Sequence, residues 1–163
     1  MCKFASFFHN PLNGDVVVKA LDSHAETEKD LDLNLKVWRE GHYLPSGELE
    51  LRYDDDRVDK KEYEEAFKRR FPSFVSFFNW ALREIDGLET YGGSLDLNGL
   101  TSAEGLVLPE KVGGSLNLNG LTSAEGLVLP KEIGGWLELR GLTSAEGLVL
   151  PKKIGGSLYL NGL

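Results

Sequence analysis

The sequence predicts an α+β N-terminal head, built of hairpins and two helices, followed by a right-handed parallel β-solenoid: a leucine-rich-like stack of 21-residue coils. Three observations carry this. Gly-Gly pairs recur at 92/93, 113/114, 134/135 and 155/156, a period of 21 residues, close to that of short solenoid repeats. Within each unit Leu-x-Leu alternates as a short strand does. The first ninety residues lack that period and carry turn signals and helical stripes instead. A chain of 163 residues has room for one ordinary domain or two small ones. The expected division is 1–88 for the head, its last helix capping the solenoid, and 89–163 for the coils.

In the head, "KFASFFHNPLNGDVVVKAL" reads as a β-hairpin, with two apolar β-prone runs flanking Pro11-Leu12-Asn13-Gly14-Asp15 and Asn-Gly as the turn signal. "SHAETEKDL" predicts a short helix with Ser23 as N-cap and Glu26 three residues on. A second hairpin is expected around "LPSGE", leading into the alternating strand "ELELRY". "DKKEYEEAFKRRF" predicts a helix opened by an Asp59/Glu62 capping box, with Tyr63, Ala66 and Phe67 on one face, and ended by Pro72. In "PSFVSFFNWALREID", Phe74, Phe77, Phe78, Ala81, Leu82 and Ile85 fall on one helical stripe. Val75 and Trp80 lie off it, so this helix is expected to be covered on more than one side.

In the periodic half, stacking places Leu95, Leu116, Leu137 and Leu158 above one another, and Leu97, Leu118, Leu139 and Leu160 likewise. Leu106-Val107-Leu108 supplies a second apolar run, ended by Pro109. Gly-Gly and Asn-Gly, with Arg-Gly in the third coil, are expected at corners needing positive φ. These units, of the type "LPxxIGGxLxLxGLTS", resemble tandem repeats of phage and bacterial proteins that form short leucine-rich-like solenoids. The resemblance covers residues 91–163. It implies the fold and leaves activity open, and its "LPxxI" element is similar to bacterial leucine-rich repeats used for protein binding.

Comparing the units shows where they differ. "GLTSAEGLVLP" is identical in all three complete copies. The changes are Ser94/Ser115/Trp136/Ser157, Asp96/Asn117/Glu138/Tyr159 and Asn98/Asn119/Arg140/Asn161, with Glu110/Lys131/Lys152 and Lys111/Glu132/Lys153 further on. The first three columns alternate with the inward leucines, so they belong on the outer face of one parallel sheet. Asp96, Asn98, Asn117, Asn119, Trp136, Glu138, Arg140, Tyr159 and Asn161 therefore form the candidate binding face, where an exposed Trp beside Arg is the composition of an interaction surface. Duplicated units also drift fastest where no packing forbids it, and that alternative stays open. The 110 and 111 columns pair Glu with Lys between coils, which predicts support of register. Glu104, Glu125 and Glu146 form a like-charged column, expected to splay into solvent or be neutralised by main chain, with a bound cation as a third alternative.

Net charge is −8. Residues 1–91 hold 19 acidic and 13 basic side chains and residues 92–163 hold 7 and 5, a balance that argues against direct nucleic-acid binding. No apolar run approaches the roughly 18 residues of a membrane helix, and the N-terminus does not read as a secretory leader. A single cysteine, Cys2, excludes an internal disulfide and fits a cytoplasmic setting. Catalytic patterns are thin. Cys2, His9, His24 and His42 lack the spacing of a zinc site, Asp54-Asp55-Asp56 lacks the glycine and terminal Glu of a calcium loop, and no phosphate loop is present. The expectation is a non-catalytic protein without metal or cofactor that docks a protein partner through the repeat face, with inhibition of a bacterial defence system as a concrete form. The alternative gives the activity to the head, acting on a small ligand or nucleotide, and makes the solenoid a spacer. The chain ends at Leu163 inside a coil, which predicts self-association through that end.

Overall fold

The computed structural model describes residues 6–10, 12, 14–18, 39–52, 58–85 and 88–163. The chain divides into two compact units, Met1–Ile85 and Asp86–Leu163. The expected helix around 23–31 and the acidic triplet 54–56 lie outside the described residues.

In the first unit, β1 (Ser6–His9), β2 (Val16–Val17), β3 (Arg39–Tyr43) and β4 (Leu49–Leu51) form an antiparallel sheet in the order β2-β1-β3-β4. Phe8 pairs with Val17, Phe7 with Gly41 and His42 with Glu50. The predicted Asn-Gly connection closes β1 onto β2 through Gly14 N–H to Asn10 O at 2.8 Å and Asn10 N–H to Asp15 O at 2.9 Å. The second hairpin turns at Pro45-Ser46-Gly47, where Leu44 N–H donates to Glu48 O at 2.8 Å.

Helix α1 (Lys60–Arg70) starts at Asp59, whose carboxylate accepts from the Glu62 N–H. This is the Asp half of the expected capping box. The reciprocal box forms at α2 (Phe74–Glu84), between Ser73 and Ser76, because a second short hydroxyl side chain at N3 reaches back to the cap. On α1 only Phe67 is buried, Tyr63 is half-buried and Ala66 is exposed, so the apolar stripe is narrower than expected. The α2 stripe packs as its spacing demands: Phe74, Phe77, Phe78, Ala81 and Leu82 are buried. Trp80, half-buried, lies 5.0 Å from the Phe71 ring. Phe7 meets Phe77 at 4.9 Å and Phe67 at 5.2 Å, and Tyr43 meets Phe74 edge-on, so the core of this unit is aromatic. Phe7 crosses β3 at Gly41, where a methyl group would sit 2.6 Å from the ring.

In the second unit every coil carries two strands of two residues, on either side of its Gly-Gly pair. β5 (Thr90–Tyr91), β7 (Lys111–Val112), β9 (Glu132–Ile133) and β11 (Lys153–Ile154) make one parallel sheet, and β6 (Leu95–Asp96), β8 (Leu116–Asn117), β10 (Leu137–Glu138) and β12 (Leu158–Tyr159) make another. The register is the repeat itself: Leu95, Leu116, Leu137 and Leu158 pair in line, as do Tyr91, Val112, Ile133 and Ile154. Leu95, Leu97, Leu116, Leu118, Leu137 and Leu139 are buried as predicted. The predicted second apolar run is not a strand. Leu106 and Leu127 turn inward, whereas Val107, Val128 and Val149 point outward.

The glycine expectation holds at Asn98-Gly99, where φ is positive, and needs correction elsewhere. None of the Gly-Gly pairs has positive φ; in the coils that conformation belongs to Gly99 and to Gly105, Gly126 and Gly147 of the Ala-Glu-Gly bend. The Gly-Gly positions are glycine because successive coils touch there through bare backbone. A methyl on Gly113 would lie 2.5 Å from Gly92 O, and one on Gly134 would meet Gly113 O. Strand-like ladder bonds seal the contact, with Gly113 N–H to Tyr91 O at 2.7 Å and Gly134 N–H to Val112 O at 2.8 Å.

Candidate binding face

The alternation that buries Leu95 and Leu97 turns residues 94, 96 and 98 outward, and each later coil repeats it 21 residues on. The three varied columns therefore share the outer face of the β6-β8-β10-β12 sheet, as expected. Their polar atoms first serve the backbone. Ser94 Oγ accepts the Ser115 N–H and Ser115 Oγ accepts the Trp136 N–H, both at 2.9 Å. Asp96 accepts the Asn98 N–H and Asn117 the Asn119 N–H, both at 3.1 Å. These side chains close the bend after each strand, a job that short Asp and Asn perform well.

The third coil solves the same problem differently. Glu138 replaces the short Asp or Asn, and the Arg140 N–H goes instead to Asn119 Oδ1 of the coil before, at 2.9 Å. Asn119 Nδ2 in turn donates to Glu138 Oε2 at 2.8 Å. Arg140 then lies along the surface: its Nε is 3.4 Å from Glu138 Oε2, one terminal nitrogen donates to Asn161 Oδ1 at 3.0 Å, and the guanidinium carbon stands 4.2 Å over the Tyr159 ring. Asn119, Glu138, Arg140, Tyr159 and Asn161 are thus one connected cluster spanning three coils. The Asp96 and Asn117 side chains serve the backbone instead, and Asn98 stands exposed beside them. Trp136, 52% exposed, lies over the Gly156 position, where even a methyl group would collide with its indole. The Gly-Gly corner of the next coil therefore gives that ring a backbone floor.

The other candidates fall elsewhere. Lys131 pairs with Glu110 at 2.7 Å and Lys111 with Glu132 at 3.3 Å, the expected cross-coil pattern, and the Lys131 ammonium holds the Glu110 carboxyl below its usual range. Glu104, Glu125 and Glu146 are exposed, each with its N–H on the hydroxyl of Ser102, Ser123 or Ser144 at 3.1–3.2 Å, so the column splays into solvent. Open clefts of about 430 and 440 Å³ separate successive members.

In the first unit His9 is buried on β1, with Nδ1 3.1 Å from the Tyr63 hydroxyl, and burial followed by the nearby Arg39 charge lowers its pKa to about 4. Burial likewise pushes Tyr63 up to about 12. His42 lies on β3 between Glu40 and Glu50, at 3.1 and 3.4 Å. Cys2 and His24 lie outside the described residues, and among the described residues no group of three or more His, Cys, Asp or Glu is placed to hold a metal. No described helix is long and apolar enough to cross a membrane.

Two features escaped sequence reasoning. The β5-β7-β9-β11 sheet was hidden because each of its strands carries one inward apolar residue and so no Leu-x-Leu alternation, though the Lys-Val, Glu-Ile, Lys-Ile column was its signal. The outward valine column was masked by the leucines on either side. No family model matches the chain, and neither the curated proteins nor the solved structures yield a match.

Proposed function

We propose that the chain is a non-catalytic binding protein that docks a protein partner stoichiometrically through the outer face of the β6-β8-β10-β12 sheet. The observation that carries this reading is the ordered group of Trp136, Arg140 and Tyr159. The Trp ring lies against a glycine, and the guanidinium stands over a phenol ring and is bonded to Asn161 and Glu138. Trp, Tyr and Arg are the side chains that carry most energy in protein interfaces, and fixing them before docking reduces the entropy lost on binding. The resemblance of the coils to repeats of phage and bacterial proteins makes a bacterial machine the natural target, and blocking a defence system is one concrete form.

Affinity capture from a bacterial lysate, followed by mass spectrometry, supplies the test. Trp136→Ala combined with Arg140→Ala should reduce retention of the captured partner at least tenfold, since truncating one interface anchor typically costs about 2 kcal/mol or more. Both side chains are exposed, so the fold should survive. Unchanged retention would overturn the sheet-face reading. Retention that persists after removal of residues 92–163 would place the activity in the head.

A further inference from the structure

A different strip of the coils, on the segment between the Ala-Glu-Gly bend and the next strand, is self-complementary. In chain order each coil presents an exposed carboxylate, an exposed valine three residues later and a charged residue three residues after that. The rungs are Glu104-Val107-Glu110, Glu125-Val128-Lys131 and Glu146-Val149-Lys152. The valines are 40%, 75% and 76% exposed. A lone exposed valine is ordinary. Val107, Val128 and Val149 are one repeat apart, so coils whose strands pair in register one repeat on, at the roughly 4.8 Å spacing of paired strands, place them in one exposed apolar column.

We propose that this strip is an interface for a second copy of the chain, related by a two-fold axis parallel to the solenoid axis. That operation lays valine column on valine column and brings the Glu column of each copy opposite the Lys column of the other. Glu125 then faces Lys131 of the second copy and Glu146 faces its Lys152, each contact occurring twice. On the first rung Glu104 faces Glu110, whose charge Lys131 already answers at 2.7 Å.

Charge selects the occupant: the strip carries its own complement, an exposed Glu column on one side of the valines and, in the second and third rungs, a Lys on the other. Another stack of the same coils also matches it rung for rung, whereas one face of an extended strand repeats every 6.6–6.8 Å or so and falls about 4 Å out of phase over three rungs. Each copy carries a net charge of −8, to which residues 92–163 contribute 7 acidic and 5 basic side chains, so like-charge repulsion between whole chains opposes pairing. Three rungs cover far less than the roughly 800 Å² per partner of a stable interface, so the dimer is weak, with a dissociation constant on the order of 0.1–1 mM.

Sedimentation equilibrium of the full chain tests this. The average mass should rise from monomer towards dimer as concentration approaches about 1 mM. Val128→Glu with Val149→Glu should raise the dissociation constant at least tenfold with the circular-dichroism spectrum intact. Glu146→Lys alone and Lys152→Glu alone should each weaken pairing at least threefold, because like charges then face each other. An equimolar mixture of the two should recover the wild-type constant, because each new charge meets its opposite. A monomer throughout the concentration range overturns the proposal. So does dimerisation unmoved by the valine substitutions, which would place the contact elsewhere, or weakened single variants that fail to recover on mixing.

Discussion

Alanine at Gly92 and alanine at Gly113 should move stability in opposite directions, although the two glycines hold the same place in successive repeats. At Gly113 the new methyl carbon would lie 2.5 Å from Gly92 O and 3.1 Å from Gly92 C. Carbon contacts relax at roughly 3.5 Å or beyond, so the coils must part by about 1 Å at that corner. Two ladder bonds cross it: Gly113 N–H to Tyr91 O at 2.7 Å and Gly114 N–H to Gly93 O at 2.9 Å. A shift of that size takes both past useful hydrogen-bond length, at about 0.5–1.5 kcal/mol each. Replacing glycine offsets about 0.4–1 kcal/mol by restricting the unfolded chain. The net loss is about 1–2 kcal/mol. At Gly92 nothing lies within 4 Å of the added methyl and φ is not left-handed, so only the gain remains. The two variants should differ by about 2 kcal/mol. With a urea slope of about 1–3 kcal/mol/M, their unfolding midpoints should part by about 1 M, Gly92→Ala at or above wild type and Gly113→Ala below it. Coincident midpoints would refute the argument that these glycines exist for close approach between coils.

The buried His9 gives the first unit an acid sensitivity. Its pKa falls from 6.5 to about 4, so between those values the unfolded chain binds the proton first and stability declines as pH falls. About 1.4 kcal/mol is lost per pH unit, reaching about 3 kcal/mol near pH 4. His9→Gln should flatten the urea-unfolding stability profile by about that amount over this range, and parallel profiles would refute it. In the coils, Leu118→Ala should cost about 2–5 kcal/mol, because that side chain is fully buried. Val128→Ser, at a position 75% exposed, should stay within about 0.5 kcal/mol of wild type; comparable losses would mean the inward and outward assignments are wrong.

Much of the solenoid was legible because a near-perfect repeat leaves little freedom. When residues 21 apart are the same, stacking them in register satisfies every coil at once, so Leu95-Leu116-Leu137 and the outward columns follow from spacing alone. The α2 stripe was readable for a similar reason, since Phe74, Phe77, Phe78, Ala81 and Leu82 have one helical period. Ala66 was misplaced because a stripe on α1 does not say how wide the opposing surface is. The candidate face was readable as a list of nine positions. Its division into backbone-closing Asp96 and Asn117 and the surface cluster of Asn119, Glu138, Arg140, Tyr159 and Asn161 was not, because hydrogen-bond choice depends on side-chain reach across neighbouring coils.

The sequence by itself determined the period, the inward leucines, the two hairpin turns and the columns free to vary. Each is a local or translational property, and periodicity or turn chemistry decides it without knowledge of distance. The tertiary structure decided what separation controls. It made the Gly-Gly pairs contact points between coils and gave the φ > 0 role to Gly105, Gly126 and Gly147. It showed that each coil has a second strand, and that Val128 faces water while Leu127 beside it in sequence turns in. Those outcomes depend on how near one coil lies to the next, and a linear pattern does not carry that distance.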